Sequence, residues 1–320
     1  MSGRLRSTSA VPRLGRAFRR AGRRAAGRVG FHIARKENYD LVRRDYYSPV
    51  PDFDRLPSDV WDQRTALCGI NFDPGRQIEF AERELGDGIR ELQAPKTSGV
   101  GGFFFENGKY EYGDAEVAYA MVRRFRPDRI LELGSGFSTL ALGMAAAANG
   151  REGRVPSLLA NDPFPQGIVG PGAIGVRGCS SRAAQDIPLS EFRELRRNDI
   201  LFVDTTHVVK IGGDVNYIVL EVLPLLAPGV LVHFHDIWLP DEYHRALTEH
   251  LDMHWTEQYL LQAFLAFNAG FEVLLANHAV ARYESERFET LVPGYTGQNY
   301  PSGFWLRRVG PEGGGLAPVR

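Results

Sequence analysis

Two groups of residues in this 320-residue chain have types and spacing suited to chemistry. The first is Glu132-Leu133-Gly134-Ser135-Gly136, at the end of the apolar run Ile130-Leu131 and just before the helix-forming stretch Thr139 to Ala148. A strand that breaks into glycines at a helix N-terminus lets a ligand reach bare backbone N–H groups. An ordinary strand-to-helix turn would look the same. A dinucleotide fingerprint would need a third glycine at position 139, which is Thr139. The second group is Asp204, with His207 three residues on, and the pair His235-Asp236. Two carboxylates and an imidazole can hold a divalent cation and leave positions open for water or substrate. They serve equally as a metal-free polar site, or as strand-end acids bonded to loop amides. His207 titrates near neutral pH in its ordinary state and could take a hydroxyl proton.

The elements that position these residues follow from periodicity. Ile200 to Asp204 reads as a buried strand, and a helix starts near Asp214, the expected N-cap, and runs to Leu226. Pro228-Gly229 ends that helix, and Val230 to Ile237 reads as the next strand. Strand–helix–strand at these lengths means a parallel pair, and parallel sheets gather ligands at the carboxyl ends of their strands. Asp204 and His235-Asp236 should therefore meet at one edge. Upstream, Asp114 to Phe125 reads as a helix, and Ser157 to Ala160 as the second strand, followed by Asn161-Asp162-Pro163. Asp162 stands where this fold class places a carboxylate on ribose hydroxyls, although a turn-forming Asn-Asp-Pro explains it too. Ala173 to Val176 reads as a third strand, and Gln185-Asp186 would lie near an adenine edge.

With its acid-x-Gly-x-Gly run, the chain resembles the Rossmann-like S-adenosylmethionine-dependent methyltransferases; Ser138 stands where that class often has a third glycine. Leu201 to His207 and Val222 to Ile237 resemble the fourth-to-fifth-strand region of metal-dependent small-molecule and sugar O-methyltransferases. The resemblance implies an α/β fold, a seven-stranded, mostly parallel, doubly wound sheet with one strand reversed at its edge. It implies cofactor contacts from Glu132, Gly134, Ser135, Gly136, Ser138 and Asp162. It implies magnesium or manganese on Asp204, His235 and Asp236; the imidazole departs from the family's oxygen donors and suits manganese, iron or zinc better than magnesium, or marks a site whose metal has been lost. His207 holds the position of the catechol-type lysine base. Implied, then, is methyl transfer to a hydroxyl of a small molecule or sugar, with Asp204 and His207 catalytic. A silent member of the fold used for binding, or another Rossmann-type nucleotide enzyme, are the rival readings.

The remainder is read as support. Residues 1–36 hold ten arginines and Lys36 with no acid, leaving 27 cations against 39 acids elsewhere. That acidic body argues against a nucleic-acid groove. The basic tail reads as a solvated extension, a membrane-surface contact or a transit segment. No apolar run reaches the roughly 18 residues that span a bilayer, and two cysteines fit a reducing cytoplasm. Residues 37–113 read as a small helical cap, with a helix from Gly75 to Leu92 and a glycine-bounded hairpin or loop from Gly101 to Gly113 whose Phe103, Tyr110 and Tyr112 could line a pocket or pack. Residues 114–310 form the expected catalytic domain, and 311–320 a disordered end. Helices are expected over Asp241–His250 and Trp255–Ala269, with Trp238, Tyr243 and Tyr259 as pocket or packing aromatics. Phe271 to Ala276 and Ser302 to Arg307 close the sheet as an antiparallel hairpin on a long loop.

Overall fold

The computed structural model describes residues 46–98, 102–297 and 301–310; the basic 1–36 stretch, Gly101 and the 311–320 end lie outside them. Residues 46–56 belong to a unit of their own, with Arg55 paired to Asp52 at 3.5 Å. The rest, from Pro57, is one α/β unit.

Its order begins with α1 (Pro74–Phe80), which continues through a wider turn at Ala81–Leu85 into α2 (Gly86–Glu91). The expected helix over Gly75–Leu92 is thus present, started by Asp73, whose carboxylate accepts from Arg76 N at 3.2 Å, and by Pro74 at the first helical position. Then come α3 (Asp114–Phe125), β1 (Arg129–Leu133), α4 (Phe137–Arg151), β2 (Ser157–Asn161), β3 (Val176–Ser180), α5 (Leu189–Phe192) and β4 (Ile200–Val203). After these follow α6 (Asp214–Tyr217, extended by further turns to Leu225), β5 (Leu231–Phe234), α7 (Arg245–Leu251), α8 (Glu257–Leu265), β6 (Phe271–Ala276), α9 (Asn277–Tyr283), α10 (Ser285–Leu291) and β7 (Phe304–Arg308).

The seven strands lie in the order β3-β2-β1-β4-β5-β7-β6, and the sheet is seven-stranded and mostly parallel, as the resemblance implied. β1 to β5 pair in parallel, with Leu133 opposite both Asn161 and Val203, so three strand ends are level. Side chains alternate across the sheet. Ile130, Ile200 and Phe202 face a core shared with α1 to α4, whereas Leu131, Leu201 and Val203 face one shared with α6 and α8. Helices therefore cover both faces, and β4 and β5 are buried throughout.

Three expectations are corrected here. The reversed strand β7 is not at the edge but between β5 and β6, and two helices, α9 and α10, fill the connection expected to be a loop. The third strand begins at Val176, because 170–176 is a pair of turns and Gly175 crosses directly over α4. The helices expected from Asp241 and Trp255 begin at Arg245 and Glu257, since Asp241 bridges to Arg64 and the His244 ring caps α7 by accepting from Ala246 N. Of the two readings of the 102–113 segment the loop is found, a chain of turns in which Phe103 and Phe105 are buried, Tyr112 stacks on Phe105 at 4.3 Å, and Tyr110, also buried, lines a cavity at the strand ends. Among the described residues no helix is long and apolar enough to cross a membrane.

Candidate active site

A cavity of about 920 Å³ opens at the carboxyl ends of β1, β2, β4 and β5. It takes in both groups singled out by the sequence. The glycine turn, Asp162, Asp204, His207, His235 and Asp236 all line it.

On the β1 side, Gly134 has φ +111°, and a Cβ there would lie 2.2 Å from the Asp204 carbonyl oxygen. Only glycine lets the turn pass this close to the end of β4. Gly136 N donates to Thr139 Oγ1 at 3.0 Å, which starts α4. Glu132 is fully buried; Oε1 accepts from Ser138 Oγ at 2.7 Å, and Oε2 has no partner among the described residues. Burial pushes this carboxyl up to about 8 despite the Ser138 bond. Asp162 is held by Ser135, whose Oγ donates to Oδ2 at 2.8 Å, and by Phe164 N, which donates to Oδ1 at 2.8 Å. Turn-forming and ligand-facing roles coexist there, since each oxygen keeps a further acceptor position. Gln185 lines the far wall beside Ala183 and Ala184.

On the β4 side, Asp204 and Asp236 flank the His207 ring: Nε2 lies 3.3 Å from Asp204 Oδ1 and 3.5 Å from Asp236 Oδ2. The opposite ring nitrogen, Nδ1, is 2.8 Å from the buried Glu257 carboxylate at the start of α8. Burial would lower this imidazole, yet bonds to Asp204 and Glu257 and the charge of Asp236 push it up to about 10. Asp204 shows the converse: burial would raise it, but His235 and His207 hold it down at about 2. His207 and Asp236 both have left-handed backbones, φ +57° and +59°. Such conformations are uncommon outside glycine, although Asp and His adopt them more readily than most residues, and they cluster at functional sites.

His235 is turned partly away. Nε2 faces Asp114 at 3.4 Å, while Nδ1 faces Asp236 at 3.5 Å and Asp204 at 3.8 Å. Of the cation set expected from sequence, Asp204 and Asp236 are joined more closely by His207 than by His235: one donor atom each from Asp204, His207 and Asp236 lies within 4.8 Å of the others. That donor set suits a divalent cation tolerant of imidazole.

Asp214 is not the N-cap; Gly213 is. The Asp214 carboxylate instead accepts from Thr206 N at 2.9 Å and Thr206 Oγ1 at 2.7 Å, which shapes the loop carrying His207. Trp238 and Tyr243 are buried in an aromatic stack and Tyr259 bonds Glu242; it is Trp255 that lines the cavity, 4.6 Å from the His207 ring. Sequence reading missed Glu257, Trp255 and Asp114. An acid in a helix's first turn is commonplace, so no local signal set Glu257 apart.

Residues 131–237 match a family described as a methyltransferase domain. The match covers about a third of the chain and runs from β1 to just past Asp236, so both halves of the cavity floor fall inside it. A protein of Archaeoglobus fulgidus, described only as uncharacterized, is 27% identical over 165 residues, covering 48% of this chain and 73% of its own. Sheet order and match agree on a Rossmann-like methyltransferase fold.

Proposed function

We propose that the protein is an S-adenosylmethionine-dependent methyltransferase acting on a hydroxyl of a small molecule or sugar. The observation that carries this reading is a single cavity holding a bare glycine turn on one side and a carboxylate–imidazole cluster on the other. The unpartnered Oε2 of Glu132 is a buried acceptor waiting for a donor, which the ammonium of the cofactor's methionine end supplies. Gly134, Ser135, Gly136 and Ser138 seat that end, and Asp162 accepts from the ribose hydroxyls. The acceptor oxygen then lies toward Asp204, His207 and Asp236. In the transfer the acceptor O–H gives up its proton, the oxygen forms a bond to the methyl carbon, and the sulfonium keeps the electron pair of the breaking carbon–sulfur bond. Such a displacement needs positioning and proton removal, little else.

His207 stands where that proton leaves, its Nε2 facing the cavity. Clamped among carboxylates, its ring serves as their counter-ion until another positive charge takes that role. A divalent cation on Asp204 and Asp236, with a ring nitrogen of His207 or His235 as third donor, would supply that charge and polarise the acceptor oxygen.

Calorimetric titration with S-adenosylhomocysteine, with and without manganese or magnesium, on wild type and Asp204→Ala, tests the reading. Saturable binding to the wild type is expected, together with a metal heat that disappears in the variant. Cofactor binding without metal heat removes the cation and keeps the methyltransferase. No binding overturns the proposal, and binding of a nicotinamide cofactor in its place would favour the rival nucleotide enzyme.

A further inference from the structure

Glu257 lies outside the matched segment, at the start of α8. Yet the start of α8 is lashed to the His207 loop on several sides. The His207 carbonyl accepts from Thr256 N at 2.8 Å and from Glu257 N at 3.0 Å, and Val209 N donates to Thr256 Oγ1 at 2.8 Å. Trp255 closes over the ring, 4.6 Å between centroids. The Glu257 side chain then reaches Nδ1 at 2.8 Å.

We propose that Glu257 is the positioning residue of this site, fixing the His207 ring so that Nδ1–H is committed to its carboxylate and Nε2 alone faces Asp204, Asp236 and the acceptor. Two observations set this apart from a helix-end acid that merely complements the helix dipole. A dipole needs no burial, and such acids sit in water; Glu257 is 1% exposed. A carboxylate buried for structure would have both oxygens satisfied, whereas Oε1 has no partner among the described residues and Oε2 is spent on the ring. The energetic cost of holding a carboxylate here is met by one contact, that with His207. The left-handed backbone at His207 completes the picture, because the loop is bent to bring the ring to the helix. Orientation of one ring nitrogen by a carboxylate on the other is a general device of imidazole sites, whether the free nitrogen takes a proton or a cation. The functional meaning rests on the methyltransferase reading; the geometry does not.

The experiment is ¹⁵N-edited proton NMR on the full chain labelled at histidine, run alongside S-adenosylhomocysteine titration of the same samples. A proton one-bond coupled to an imidazole Nδ1, far downfield and slow to exchange with water, is expected in the wild type. Its loss in His207→Gln assigns it. In Glu257→Gln it should move upfield and exchange about tenfold faster or more, since a neutral amide is the weaker acceptor, with cofactor affinity unchanged. Asp204→Asn should leave it in place and slow to exchange, because its partner is Glu257. Absence of this proton from the wild type overturns the proposal, and this outcome needs no variant to fold. Persistence in Glu257→Gln at unchanged shift and exchange rate overturns it equally. If the proton is present and S-adenosylhomocysteine does not bind, the carboxylate–imidazole pair stands and the methyltransferase reading falls.

Discussion

Glu132 is costly to charge where it sits, and that cost is measurable. It is fully buried, one oxygen bonded to Ser138 and the other unpartnered, and its carboxyl is pushed from the ordinary range up to about 8. A raised folded pKa means that the folded protein holds the proton more tightly than the unfolded chain. Its contribution to stability is complete below about 4.5, and is lost as pH rises through about 8. Glu132→Gln keeps an oxygen for Ser138 and has no charge to bury. The variant is therefore expected to be more stable than the wild type at pH 8.5, by on the order of a few kcal/mol and with a higher melting temperature, the gap closing toward pH 5. Thermal melts across that range decide it; a gap independent of pH would mean the effect is packing. Cofactor binding should suffer in the same variant, because an amide cannot pair with an ammonium as a carboxylate does.

At the scale of elements, the cavity's first wall depends on how α4 lies against the sheet. The helix is held under the turn before β3 by a backbone approach: a Cβ on Gly143 would lie 2.2 Å from the Ile174 carbonyl oxygen, and one on Gly175 would lie 2.0 Å from the Gly143 carbonyl oxygen. In an exposed helix interior glycine to alanine stabilises. Here the sign reverses, because backbone on both sides leaves the methyl nowhere to go. Gly143→Ala is expected to lose roughly 2–4 kcal/mol, in the range of overpacked sites, read as a lowered denaturant midpoint. Unchanged or increased stability would show that the loop can move aside. Asp199 plays a similar part at the opposite end of the sheet, accepting from Asp128 N and Arg129 N and thereby setting β1 beside β4.

For the whole molecule, Asp114 is where distant parts of the chain are tied together. At the start of α3, it accepts from Asn277 Nδ2 at 2.7 Å, Ser302 N at 2.9 Å and Gly303 N at 2.8 Å, and faces His235 Nε2 at 3.4 Å. One carboxylate thus joins α3, the start of α9, the approach to β7 and the end of β5. Asp114→Ala would leave several buried donors and an imidazole without partners, each about 1–3 kcal/mol, so a loss of several kcal/mol in unfolding free energy is expected. A small loss, matching a single exposed hydrogen bond, would contradict the hub. Because His235 loses its outer partner, weaker metal heat in the calorimetric titration should accompany the loss of stability.

Much of this was legible beforehand where physics is local. The apolar runs of β1 and β4, the glycine break after Leu133, the helix from Asp114 and the convergence of Asp204 with His235-Asp236 all follow from residue pattern and from the rule that parallel strands gather ligands at their carboxyl ends. The sheet's neighbour relations near the site followed too, since each short crossover allows few arrangements. The placement of β7 between β5 and β6 was not legible, because strand order at the far end is decided by long-range pairing, to which neither strand's own pattern points. Nor was the choice between His207 and His235 as the imidazole nearest both carboxylates, which depends on ring directions fixed by Asp114 and Glu257, residues 121 and 50 positions away from the histidines they hold in chain order. Sequence alone determined which residues reach the edge of the sheet. Only tertiary structure decided which way they face there, because orientation is set by hydrogen bonds between elements that share no local pattern.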